Sequence, residues 1–254
     1  MAPPVDFGQP ARPGVPSMWA TADVSVSGVD LTGLGLQLQP GASMPGKIVF
    51  KGAGPAPADL TKIRISLGAA SSPDFGLNTV NVTANADGTF KVEGLGPGKY
   101  RLYTNGLPAP WFLKSALVDG VDVLDDPLEV KPGADVPEMT LVFDDRPTEV
   151  SGKLIDAKGA PASGYAMIMF STNKATWTIQ GTRRTKSARP TTDGKYVISG
   201  LPAGEYFLAA VTDFDQTDLT DAAFLEDLVA AGVLKITIGE GEKKTQDLRL
   251  ARTP

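Results

Sequence analysis

"DGTFKVEGLGPGKYRL" at residues 87–102 returns as "DGKYVISGLPAGEYFL" at residues 193–208, and this internal repeat decides the fold. Gly88 matches Gly194, Gly94 matches Gly200, Leu95 matches Leu201, Gly98 matches Gly204 and Tyr100 matches Tyr206. The separation is always 106 residues (194 minus 88). Upstream, "PGKIVF" at 45–50 and "SGKLID" at 151–156 keep the same register. A period near 100 residues is too long for a solenoid repeat and is the size of one β-sandwich domain.

Within each copy the runs are those of strands. "KIRISL", "TVNVTA" and "YRLYT" in the first copy, and "EVSGKLI", "YAMIMF" and "VLKITI" in the second, are short, largely alternating and bounded by Gly, Pro and Asp. Asp87-Gly88 and Asp193-Gly194 predict tight hairpin turns. Pro97 with Gly98, and Pro202 with Gly204, predict a second turn just ahead of each repeated Tyr. The expected fold class is all-β, with tandem antiparallel Ig-like β-sandwiches and one short helix in the last module. Residues 43–146 and 147–254 are the expected modules, with the boundary near "DDRPTE" at 144–149. Residues 1–42 are a Pro-rich lead and an orphan hairpin. Each repeated Tyr is expected at a sandwich corner, ring over the core and hydroxyl on nearby backbone, with Leu95 and Leu201 plugging the core beneath.

Composition narrows the chemistry. With 254 residues and 42% apolar content there is chain enough for two cores, and a net charge of -5 argues against a nucleic-acid partner or an anionic membrane surface. No apolar run approaches the roughly 18 to 20 residues of a membrane span, and "MAPPVDFGQPARPG" does not read as a secretory signal. The chain has no Cys and no His. Disulfides, ordinary structural zinc and every Ser-His or Cys-His nucleophile are therefore excluded. No catalytic residue, cofactor or enzyme activity is expected.

"SARPTTDGKYVISGLPAGEYFLAAV" and "TVNVTANADGTFKVEGLGPGKYRLYT" resemble the carboxypeptidase regulatory-like domain, a prealbumin-like or transthyretin-like β-sandwich. The resemblance covers residues 22 to 251. It implies a non-catalytic extracellular, cell-surface or periplasmic region of bacterial origin, whose partners are neighbouring modules of a longer chain or copies of itself. A fold shared by resemblance transfers no activity. The zinc ligands of the peptidases that such modules accompany have no His here to match.

"DVSVSGVDLTGLGLQLQPG" at 23–41 is similar to "LEVKPGADVPEMTLVFDDRP" at 128–147, with Gly28 matching Gly133 and Leu36 matching Leu141 at a separation of 105 (133 minus 28). Val24, Val26, Leu34, Leu36 and Leu38 alternate and need a core to cover them. The expectation is the closing hairpin of a third module, surplus to the closing hairpins "LEVKPGADVPEMTLVF" and "VLKITIGEGEKKTQDLRLA". The alternative is a donor strand that joins copies into a surface polymer.

Three clusters are weaker candidates. Asp213, Asp215, Asp218 and Asp221 could hold calcium, but the spacing fits better a solvated loop ahead of a helix capped by Asp218 or Thr220, with Asp221 in its first turn. Arg183, Arg184, Lys186 and Arg189 are expected to blunt a strand edge, with an anion contact as the alternative. Trp111 and Trp177 are the rings a carbohydrate-binding-like sandwich would expose to a glycan, and core packing is the competing expectation.

Overall fold

The computed structural model describes residues 18–20, 22, 24, 25, 27, 28, 30, 32–70 and 79–250. The chain divides into two compact units. Met1–Phe50, Ala56–Pro108 and Ser115–Phe143 form the first, and Lys51–Pro55, Ala109–Lys114 and Asp144–Pro254 form the second. Three segments inside the expected module 43–146, residues 51–55, 109–114 and 144–146, thus belong to the second unit.

In the first unit the strands are β1 (Met18–Trp19), β2 (Gln39–Pro40), β3 (Ala42–Phe50), β4 (Arg64–Ala69), β5 (Val80–Thr83), β6 (Thr89–Leu95) and β7 (Gly98–Asn105). They continue with β8 (Phe112–Val118, its first three residues in the second unit), β9 (Val121–Asp122), β10 (Leu128–Val130) and β11 (Met139–Asp144). One sheet has the order β10-β7-β4-β5, another the order β6-β3-β11-β8-β9, and β1 pairs with β2. Period-two alternation sets which residues enter the core. Phe90, Val92 and Leu95 on β6, and Ile65 and Leu67 on β4, are buried, while Thr89, Lys91, Glu93 and Arg64 between or beside them are exposed.

The second unit contains β12 (Glu149–Ile155), β13 (Ala166–Ser171), β14 (Thr185–Ala188), β15 (Lys195–Ser199), β16 (Gly204–Val211), α1 (Ala222–Ala231), β17 (Leu234–Ile238), β18 (Lys243–Thr245) and β19 (Leu248–Arg249). Its sheets are β14-β13-β16-β17 and β15-β12-β18, with β19 also on β12. The order β14-β13-β16-β17 repeats β5-β4-β7-β10, and β16 starts 106 residues after β7 (204 minus 98).

Strand β13, "AMIMFS", is buried along its whole length, because both of its faces are covered. Met167 and Met169 join Leu154, Tyr196, Ile198, Tyr206 and Leu208 in the core between strands. Ile168 and Phe170 turn the other way, to Trp177, Ala209 and Leu225, with Phe224, Leu228 and Val229 of α1 packed alongside. The helix therefore closes the outer face of this sheet. It occupies the place in sequence that β8 and β9 hold in the first unit, since residues 112 and 122 map onto 218 and 228 in the 106-residue register.

Two sequence expectations need correcting. The closing segments are not hairpins. β10 pairs antiparallel with β7, whereas β11 joins the other sheet and runs parallel to β3, with Met139 opposite Gly46 and Phe143 opposite Phe50. In the second unit β17 pairs with β16, while β18 and β19 run parallel to β12. The chain crosses between sheets, as a parallel pair requires, and the sandwiches are antiparallel except at the closing strand. Nor are the Asp-Gly turns hairpins. Asp87-Gly88 connects β5 to β6, which lie in different sheets, and Asp193-Gly194 connects β14 to β15 in the same way. Only the glycines take positive φ, 80° and 78°, where a type I′ hairpin turn needs two such residues.

Candidate functional site

The repeated block is the most distinctive chemistry in the sequence, and its polar groups are engaged within the fold. Tyr206, fully buried, donates its hydroxyl to the Pro202 carbonyl at 2.7 Å. Tyr100, 8% exposed, donates to the Gly96 carbonyl at 2.9 Å, and burial raises its phenol above the ordinary tyrosine value. Leu95 and Leu201 are buried beneath these corners, where Gly94 and Gly98, and Gly200 and Gly204, flank them with positive φ. In the first Asp-Gly turn the Asp87 carboxylate accepts from the Thr89 amide at 2.9 Å and its hydroxyl at 2.7 Å. Asp193 accepts from the Thr191 hydroxyl at 2.5 Å and pairs with Lys195 at 2.7 Å. Those two contacts, Lys195 foremost, hold its carboxyl far below the usual carboxylate range. Gly194 also meets a steric requirement: a Cβ there would stand 2.6 Å from the Leu154 carbonyl oxygen.

The aromatic pair does not make a sugar platform. Trp177 is 1% exposed, its indole N–H donates to the Ser171 carbonyl at 2.7 Å, and its ring meets Phe170 edge-on at 5.5 Å. A buried indole must satisfy its N–H internally, and this one does, so no ring face is left for a glycan. Trp111 is partly buried.

Three of the four acidic residues of 213–221, Asp213, Asp218 and Asp221, point to separate partners. Asp213 accepts from the Phe214 amide at 3.0 Å and stands 4.0 Å from Arg189, and Asp218 accepts from the Asp215 amide at 2.8 Å. Asp221, not Asp218 or Thr220, is the N-cap of α1, accepting from the Ala223 amide at 2.8 Å, which corrects the expected cap. Asp218–Thr220 forms a separate 3-10 turn. Among the described residues no three acidic groups come together to hold a metal ion.

The basic cluster is likewise dispersed. β14 is an edge of its sheet and exposes Lys186, whereas Arg183 and Arg184 are partly buried, with the Arg183 guanidinium donating to the Lys114 carbonyl.

In the second unit, "DDRP" at 144–147, expected only as a module boundary, supplies a cluster of charged groups. Asp144, 3% exposed, accepts from Lys114 Nζ at 3.2 Å, Arg146 Nε at 3.3 Å and the amides of Asp145 and Arg146 at 2.9 and 3.1 Å. Burial alone would raise its pKa, but these donors outweigh it and leave the carboxyl below its ordinary value. Asp145 accepts from the amides of Ala53 at 3.0 Å and Gly54 at 2.6 Å. Two adjacent acidic residues in a strand-to-strand link are the signal, since one carboxylate lies buried among donors while the next caps loop amides.

The N-terminal segment departs from the expected hairpin. Met18–Trp19 pairs with Gln39–Pro40, and the Trp19 indole donates to the Pro40 carbonyl at 3.1 Å. Residues 32–38 form no strand, and Leu34, Leu36 and Leu38 are 54%, 59% and 63% exposed. Val24 is 46% exposed, and Val26 lies outside the described residues. Among the described residues from 22 to 38 none is in a strand.

No protein-family model matches the chain, and no curated protein matches it. Solved structures do. The minor pilin GBS52 of Streptococcus agalactiae is 15% identical over 83% of this chain and 98% of its own, with a TM-score of 0.32. The shaft pilin SpaA of Lactobacillus rhamnosus GG is 9% identical over 84% and 98%, with a TM-score of 0.30. The Bacillus anthracis TIE protein is 13% identical over 84% of this chain, which spans 37% of that one, with a TM-score of 0.28. No function is carried across from likenesses at this level.

Proposed function

We propose that the chain is a non-catalytic structural region of the cell exterior, built of tandem carboxypeptidase regulatory-like β-sandwiches. The observation that carries this reading is the fate of the repeated block. Both corner tyrosines donate to carbonyls four residues upstream, and both Asp-Gly turns close on their own Thr. The features duplicated in the two units thus serve the fold, as expected of a module used to build length. Protease treatment of intact cells carrying the native protein tests the location. Peptides from residues 43–250 should be released without lysis, and their recovery only after lysis would overturn the extracellular reading.

A second reading, in which the chain is also a subunit of a larger surface assembly joined by strand donation, is favoured by Leu34, Leu36 and Leu38. Three large apolar side chains at alternate positions of an unpaired segment are costly to leave in water and well suited to a sheet that lacks a strand.

A further inference from the structure

The exposed leucine ladder has a counterpart inside this same chain. At a separation of 105 residues (139 minus 34), Leu34, Leu36 and Leu38 correspond to Met139, Leu141 and Phe143 of β11. All three of those side chains are fully buried. β11 sets them in the core by running parallel to β3, with Leu141 opposite Ile48 and the Phe143 ring stacked on Phe50 at a centroid distance of 5.6 Å. The second unit uses the same device, with β18 and β19 parallel to β12 and Leu248 opposite Leu154. In the first unit a side-chain ladder of this pattern is therefore what closes the sandwich, whereas the second unit shares the parallel closing strand but not the ladder, β18 being the polar "KKT".

Neither unit of the chain has that place open, because β11 fills the first and β18 with β19 fills the second. The strand that follows the ladder cannot be its partner either. Three residues, Gln39 to Gly41, separate it from β3, and a parallel pair needs a crossover of about a dozen residues or more. A complete second copy also has both places filled.

We propose that residues 32–38 are the closing strand of a further β-sandwich of the same build, one that lacks a closing strand of its own, and that they pair parallel to its first strand. The inference rests on the strand-donation reading and names the partner by its chemistry. That partner is a sheet edge ending in an apolar first strand, above a core with room for three large side chains on one face. Gly35 and Gln37 fall on the other face of the donated strand.

An acceptor of this description can be made from the full chain by Met139→Asp, Leu141→Asp and Phe143→Asp, which expel β11 from its place. A fluorescent peptide of residues 30–42 should bind this acceptor saturably, within tenfold of the Kd of a peptide of residues 136–146. It should bind the unmodified chain at least tenfold more weakly, and hydrogen exchange should slow at 46–50 on binding. Equal binding to acceptor and unmodified chain would overturn the proposal, as would binding of the 136–146 peptide alone. If the acceptor takes up neither peptide, sedimentation and melting of the full chain carrying Leu34→Asp, Leu36→Asp and Leu38→Asp decide. The proposal expects both to match the unmodified chain. A fall in melting temperature would place the ladder on this chain's own units. Loss of self-association would leave strand donation standing, with a second copy as the acceptor, and would overturn the partner named here.

Discussion

At the scale of single residues, the two copies of one turn are not equally tolerant. Gly88 and Gly194 share a φ near 80°, where any L side chain costs about 1–2 kcal/mol. A Cβ on Gly88 would have Leu60 Cδ1 at 3.4 Å as its nearest neighbour, the yielding end of a side chain. On Gly194 it would strike the Leu154 carbonyl, which itself borders the turn through the bond from the Leu154 amide to the Gly194 carbonyl. Gly194→Ala should therefore cost about 1–3 kcal/mol more than Gly88→Ala, read as the difference in urea midpoints. Equal costs would show that the β12 backbone gives way. Tyr196 supplies a pH dependence. It is 2% exposed and donates to the Gln246 carbonyl, and burial, with a smaller contribution from Asp247, pushes its phenol up to about 12 from an ordinary value of 10.0. The fold favours the neutral hydroxyl, so this contribution is intact below about pH 10 and disappears as pH rises from 10 towards 12. Urea midpoints measured from pH 8 to 11.5 should fall less steeply for Tyr196→Phe than for the parent, and parallel declines would remove Tyr196 from the account.

At the scale of elements, α1 shows how a cap is chosen. The acidic run offers several carboxylates ahead of "AAFLEDLVAA", and Asp221 alone combines extended backbone with a bond to the Ala223 amide. Asp221→Ala should cost about 0.5–2 kcal/mol and speed amide exchange at residues 223–226. Asp218→Ala, which removes a loop contact with the Asp215 amide, should leave those amides protected. If Asp218→Ala exposes the helix instead, the cap is misassigned. The helix was legible in the sequence from its length and apolar spacing. Its register was not, because Asp, Thr and Asp at 218, 220 and 221 are all good caps and the choice depends on where the chain leaves the preceding 3-10 turn.

At the scale of the whole molecule, the two units share one strand order and differ in what covers it. Trp177, Phe170 and α1 close the outer face of the second unit's β14-β13-β16-β17 sheet. Trp177→Ala should cost about 3–5 kcal/mol in that unit. If each unit folds by itself, as the 106-residue repeat suggests, amide exchange should quicken along β13 and β16 and stay unchanged along β4 and β7. A uniform loss of protection across all four strands would mean that the units unfold together.

What the sequence determined by itself was strand content, the repeat and the places where the chain turns. These rest on alternation, on Gly and Pro backbone preferences and on a periodic block such as "DGKYVISGLPAGEY", all of which act over a few residues. It did not determine which strand each run would join. Asp87-Gly88 marks a reversal equally well whether the next strand returns to the same sheet or crosses to the other, so two sheet-switching turns looked like hairpins. The parallel partnership of β11 with β3, some 90 residues apart, is selected by which apolar face can be buried against which, and no local pattern encodes that. Trp177 is a related case: the sequence allowed either a core ring or an exposed one, and the packing of Phe170 and α1 around it decides for the core. The leucine ladder at 34–38 is the reverse case. Its sequence is that of a buried strand, and only the tertiary structure shows its leucines exposed while both closing positions are already filled.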